Sequence, residues 1–165
     1  MPIPALPDGG SATSVFVALF HQVHNDLREE ISGLDAKALN WVPVAGANSI
    51  STIIIHLVGS EAETLLSVAG LPCERNRGAE FAGRELTMGE VLELLDGADS
   101  LITTVKPHLG PDRLTTAIAL PTLPAEEVRS GLTWIVGNYG HAREHVGHIQ
   151  LTKQLYEHEQ SSATS

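Results

Sequence analysis

Thiols are almost absent from this chain, with Cys73 the one cysteine in 165 residues. No internal disulfide can form, and neither a CxxC redox pair nor a cysteine zinc knuckle is available. The thiol-poor composition suits a reducing compartment, and Cys73 reads as an ordinary loop thiol. Basic residues are scarce too: ten Lys plus Arg face twenty Asp plus Glu, for a formal charge of −10. Nucleic-acid affinity rests mainly on clustered cations that neutralise phosphates. The nearest approach to a cluster, Arg75 and Arg77, is flanked by Glu74 and Glu80. No nucleic acid and no membrane are therefore expected as partners. Residues 1–10 carry no positively charged region, and the apolar stretch 14–20 is too short to span a bilayer. A cytoplasmic protein is expected.

At 17.6 kDa the chain has the size of one domain, and it can bury about two-thirds of its unfolded surface without a staple. Prolines and glycines make residues 1–13 an irregular lead-in, and the polar end, 159–165, reads as frayed. The bundle proper is expected over 14–158. Within it, Val15, Leu19, Val23, Leu27 and Ile31 recur at four-residue spacing, a helix signature that stops at Gly33. A second segment, 49–68, has Asn48 or Ser49 as a cap and Gly70-Leu71-Pro72 as a stop. Its Ile53-Ile54-Ile55 run favours a strand by propensity, but its length and continuing period favour a helix. Thr87-Met88-Gly89-Glu90 is a capping-box pattern that opens a third helix, ending at Pro107 or Gly110. The fourth follows Pro124 and runs to about His158. Four amphipathic helices and no convincing strand predict an all-α four-helix bundle. The connections, near 34–48, 70–86 and 108–124, are long enough to permit a crossover topology and to wall a pocket.

The chain holds eight histidines, and three of them, His141, His145 and His148, lie on the fourth segment. At 100° per residue, His145 lies about 40° and His148 about 20° from His141, so the three form one ridge. Histidines at i and i+4 can bind one ion together. His56 sits in the most apolar stretch of the chain, and bundles build metal sites from inward side chains on facing helices. His56, His141 and His145 would supply three nitrogens and leave a position open for water or substrate, the catalytic pattern rather than the structural one.

Taken in order, Trp41-Val42-Pro43, Asn48-Ser49-Ile50, Ile54-Ile55-His56-Leu57 and the run from His141 to Gln150 resemble the DinB-like metal-binding four-helix bundles. These are similar to the metal-binding domain of mycothiol-dependent maleylpyruvate isomerase and to bacillithiol transferases. The resemblance spans roughly residues 14 to 158. It implies an up-down-down-up crossover bundle, frequently a homodimer, that binds zinc or nickel through the positions of His56, His141 and His145. His148 falls where many members carry glutamine, which implies a residue that supports a ligand or lines the pocket. The resemblance further implies a small-molecule substrate, with a low-molecular-weight thiol as a recurrent co-substrate.

Other residues are weaker candidates. His141-Ala142-Arg143-Glu144-His145 also reads as the HxxEH zinc-peptidase pattern, but only 20 residues follow His145, too few for a distant acidic ligand. Glu63, seven residues after His56, is a candidate to orient a histidine. Trp134 and Asn138 lie on the histidine ridge as candidate pocket walls, with core packing the alternative for Trp134. His21 and His24 read as surface residues, with an interior position for His21 the alternative. Gly137, Gly140 and Gly147 each cost a helix about 1 kcal/mol, which suggests close approach by a neighbouring helix or a ligand. The expected function is a metal-dependent enzyme that activates a thiol or water, such as an S-transferase or an isomerase-like enzyme. The alternatives are a non-catalytic metal- or ligand-binding module with His148 as a fourth ligand, a metal-dependent hydrolase, and a bundle whose histidines are polar filler.

Overall fold

The computed structural model describes residues 11–163. Of the expected lead-in 1–13, residues 1–10 lie outside the described residues, as do the last two of the chain, while Ala12 and Thr13 already belong to the first helix. The four periodic segments fold as α1 (Ala12–Ile31), α3 (Ile50–Ala69), α5 (Met88–Val105) and α7 (Gly131–Ala163). Short helices α2 (Ala36–Asn40), α4 (Arg77–Glu80) and α6 (Pro111–Thr115) occupy the connections, with a hairpin of β1 (Ala117–Ala119) and β2 (Val128–Ser130). The caps follow local chemistry. Ser49 Oγ accepts the Thr52 amide, and Thr87 and Glu90 close a reciprocal capping box. Gly70 ends α3 at φ 75°, a left-handed cap that suits glycine. The isoleucine run is helical because α3 is the core helix: Ile50, Ile53, Ile54 and Leu57 are buried, and burial outweighs strand propensity. By length and composition α3 could cross a membrane, but 61% of its most apolar window is buried inside the bundle.

Two core clusters establish how the helices run. One joins Leu27 and Ile31 of α1 to Ile50 and Ile54 of α3, Val91 and Leu95 of α5, and Val146 and Ile149 of α7. The other joins Phe20 of α1 to Leu65 and Val68 of α3, Ile102 and Val105 of α5, and Trp134 and Ile135 of α7. The end of α1 thus meets the starts of α3 and α5, so the order is up-down-down-up. Helices α3 and α5 pack together in parallel, as do α1 and α7. Parallel neighbours require a link that returns the full length of the bundle, about 30 Å for helices of this size. The segment between α3 and α5 makes that return and runs back along α3.

The hairpin departs from the all-helical expectation for the last connection. Ala117–Ala119 pairs antiparallel with Val128–Ser130, so α7 starts at Gly131 and not directly after Pro124. Three-residue strands are too short to show a period of two. At its other end α7 continues to Ala163, past the expected frayed boundary. There Tyr156 packs against Trp41, with ring centroids 5.6 Å apart, and Lys37 donates to Gln160 at 3.3 Å.

The expected close approach at the α7 glycines is not met. A Cβ built on Gly137, Gly140 or Gly147 meets nothing within 4 Å. Gly147→Ala is therefore expected to stabilise the fold by about 0.5–1 kcal/mol in urea unfolding, because alanine loses less backbone freedom in a helix. A destabilising result would mean that something packs against that face.

Candidate metal centre

Helices α3 and α7 face each other across the bundle and bring His56 against His141 and His145. His56 Nε2 lies 3.2 Å from His141 Nε2, and His145 Nε2 lies 3.2 Å from the same atom. The three ligand atoms all fall within 4.8 Å of one another. A tetrahedral Zn²⁺ with bonds of about 2.0–2.1 Å holds its nitrogens about 3.3 Å apart, so the two separations centred on His141 match what one ion requires. Burial lowers the pKa of His141, helped by the neighbouring His56. Burial, with His141 and His56 adding to it, pushes His145 down to about 4. At neutral pH both rings are therefore uncharged and present lone pairs, the form that binds metal. A fourth His, Cys, Asp or Glu does not join this cluster among the described residues.

The carboxylate that orients His56 is Glu80, not Glu63. Glu80 Oε2 lies 2.9 Å from His56 Nδ1, and an ionised carboxylate only accepts, so Nδ1 carries the proton and Nε2 is left free toward the cluster. Burial alone would raise the pKa of Glu80, but Arg75 and His56 hold it below the ordinary carboxylate value. Arg75 grips Glu80 through Nε at 2.6 Å and Nη2 at 2.8 Å, and it grips Glu63 through Nη1 at 2.8 Å. Glu63 also accepts from the backbone and hydroxyl of Thr122. Its expected proximity to the site is real, but it acts through Arg75. The approach of Glu80 depends on Gly59, where a Cβ would collide with Glu80 Oε1.

Glu80→Gln is expected to weaken metal binding about 10–100-fold, because the amide can present its N–H to Nδ1 and favour the wrong tautomer of His56. Competition with a chromogenic chelator measures this, and unchanged affinity would remove Glu80 from the site.

A cavity of about 430 Å³ opens onto His56 and His141 and is lined by Trp134 and Asn138, among others. Trp134 both packs and lines: its indole N–H donates to the Ile118 carbonyl at 2.7 Å, which fixes the ring beside the hairpin. Asn138 donates to Ser60 at 3.0 Å and leaves its buried Oδ1 without a partner. His148 stands outside the three-nitrogen cluster, with its Nδ1 3.2 Å from the outer nitrogen, Nδ1, of His145. Glu144, the acid of the HxxEH pattern, is exposed.

His24 overturns its surface expectation. It is fully buried, with Nδ1 2.6 Å from Asp99 and Nε2 2.9 Å from Glu61. The polar Asn25-Asp26 that follows misled the sequence reading: Asp26 is itself largely buried and pairs with Arg143. His21, partly exposed, also bonds to Asp99 Oδ1, and Arg28 takes Oδ2. His21, His24 and Asp99 have the spacing of metal ligands. Both ring nitrogens of His24 face carboxylates, an arrangement that a protonated His24 satisfies as a buried ion-pair bridge.

The model that describes the DinB superfamily matches residues 19–149. No curated protein matches the chain. Among solved structures, a conserved protein from Enterococcus faecalis is similar with a TM-score of 0.70 at 13% identity, covering 89% of this chain and 98% of its own. YfiT from Bacillus subtilis is similar with a TM-score of 0.66 at 14% identity, covering 93% of this chain and 91% of its own. YfiT is described as a probable metal-dependent hydrolase with an unusual four-helix bundle topology. At these identities the likeness to both is one of fold.

Proposed function

This chain belongs to the DinB superfamily, and from that premise we propose that it is a metal-dependent enzyme in which His56, His141 and His145 hold one Zn²⁺ or Ni²⁺. Its reaction activates a low-molecular-weight thiol or water. The observation that carries this reading is the convergence of three ring nitrogens at ligand spacing beside an open cavity. When bound, such an ion supplies a Lewis acid that lowers the pKa of a thiol or water at the position three protein ligands leave open. The chain's own residues do the rest. Glu80 holds His56 in the tautomer that presents Nε2, Arg75 fixes Glu80 and Glu63, and Trp134 walls the cavity.

Thiol chemistry suits the site better than hydrolysis. Activating water is helped by a free carboxylate base, and Glu63, the one carboxylate lining the cavity among the described residues, has both oxygens occupied by Arg75 and Thr122. A thiol is more acidic and needs no such base. The description of YfiT keeps hydrolysis as the second reading. A sealed metal module with a fourth protein ligand fits less well, because the histidines open onto a cavity and no fourth His, Cys, Asp or Glu joins them among the described residues.

The test follows zinc-loaded protein, metal-free protein and the His141→Ala/His145→Ala variant in two assays: conjugation of cysteine to monochlorobimane, and hydrolysis of 4-nitrophenyl acetate. Turnover that requires metal and is lost in the variant is expected, with conjugation exceeding hydrolysis. Equal rates with and without metal in both assays would overturn the reading.

A further inference from the structure

Three of the chain's ten basic residues, Arg75, Arg77 and Arg129, line the cavity that reaches His56 and His141. In a chain of net charge −10 this concentration runs against the composition. The three arginines do different things. Arg75 is consumed by Glu63 and Glu80. Arg77 is exposed and has no carboxylate partner among the described residues; its guanidinium carbon stands 5.6 Å from the centre of the Phe81 ring. Arg129 approaches Glu127 only at 3.5 Å, with both side chains about half exposed, and it lies over the Trp134 ring at 4.7 Å.

A guanidinium held against an aromatic ring is steadied by the contact and still presents its N–H edge for bidentate recognition of an acid. The lining carboxylate Glu63 has both oxygens held by Arg75 and Thr122, so it takes up neither Arg77 nor Arg129. Leu120, Leu123 and Trp134 supply an apolar wall beside the two arginines.

We propose that the substrate of this site carries a carboxylate on an apolar body, with the carboxylate bound by Arg77 and Arg129 and the rest lying along Trp134 toward the three histidines. This inference rests on the function proposed above for where the reaction occurs, but the arginine pair can be tested apart from it.

The probes are 3-phenylpropionate and its neutral counterpart 3-phenylpropanamide, titrated calorimetrically into the zinc-loaded and the metal-free protein, with zinc content measured on the same samples. The acid is expected to bind at least about tenfold more tightly than the amide, the scale of one charge-assisted hydrogen bond. That preference is expected to vanish in Arg77→Gln/Arg129→Gln while the zinc content is unchanged. Arg129→Gln alone, which leaves Arg77 in place, is expected to lose part of the preference and serves if the double variant folds poorly. Equal affinity for acid and amide overturns the proposal. So does a preference that survives in the double variant, which would place the acid on the metal, or no binding of the acid at millimolar concentration. A preference for the acid in protein that takes up no zinc would support the arginine site and count against the metal reading alone.

Discussion

Replacing His24 by alanine is expected to lower the unfolding free energy by about 3–5 kcal/mol, the scale of breaking a buried ion pair from one side. His24 is 0% and Glu61 1% exposed, and the two meet at 2.9 Å. Removing the imidazole strands the Glu61 carboxylate, whose Oε1 already lacks a partner. The His24→Ala/Glu61→Ala double variant should lose less than the sum of the two single losses, because no charge is then left unpaired. The pH dependence follows from the same groups. Burial alone would lower the pKa of His24, but Glu61 and Asp99 reverse that and raise it above 6.5. The contribution of His24 is therefore full below about pH 6.5 and is lost as the pH rises through its folded value. Asp99 runs the opposite way. Burial alone would raise its pKa, yet His24, Arg28 and His21 hold it near 2 against an ordinary 3.8. Its contribution is present above about pH 4 and is lost as the pH falls toward 2. Urea unfolding across pH should show wild type most advantaged over His24→Ala between about pH 4 and 6.5. A difference under about 0.5 kcal/mol there would refute the bridge.

His56→Ala should do the reverse, leaving the fold nearly intact and weakening metal affinity. Zinc sites with four protein ligands bind with about 10–16 kcal/mol, so the loss of one ligand is expected to cost about 3 kcal/mol, roughly two orders of magnitude in affinity. Stability should change little, because Glu80 keeps both of its bonds to Arg75 when the imidazole is removed. Chelator competition reads the first effect and urea unfolding the second. Full affinity in His56→Ala would confine the site to α7.

The four long helices were legible because each carries its own period, and α3 and α5 also carry readable N-caps, which are local chemistry. The direction in which they run was open to the sequence only through the length of the connections and through family resemblance. Which helix ends meet is decided by packing between residues as distant as Leu27 and Val91. The histidines were legible for the same local reason: i and i+4 on one helix fall together, and His56 stood out against isoleucines. Glu80 was not legible. It lies 24 positions after His56 in sequence, in a connection without periodicity, and its one visible sign was its place beside Arg75 and Arg77. His24 was misread because polar neighbours suggested solvent, when the solvating groups are Glu61 and Asp99 from two other helices.

The most direct test of the account is the metal content of purified, untagged protein by elemental analysis, set beside the His141→Ala/His145→Ala variant. Near one zinc or nickel per chain in the wild type, lost in a variant that keeps its helical content, is the predicted result. A wild-type protein that holds no metal after loading and desalting, or a double variant that retains it, would contradict the three-histidine centre.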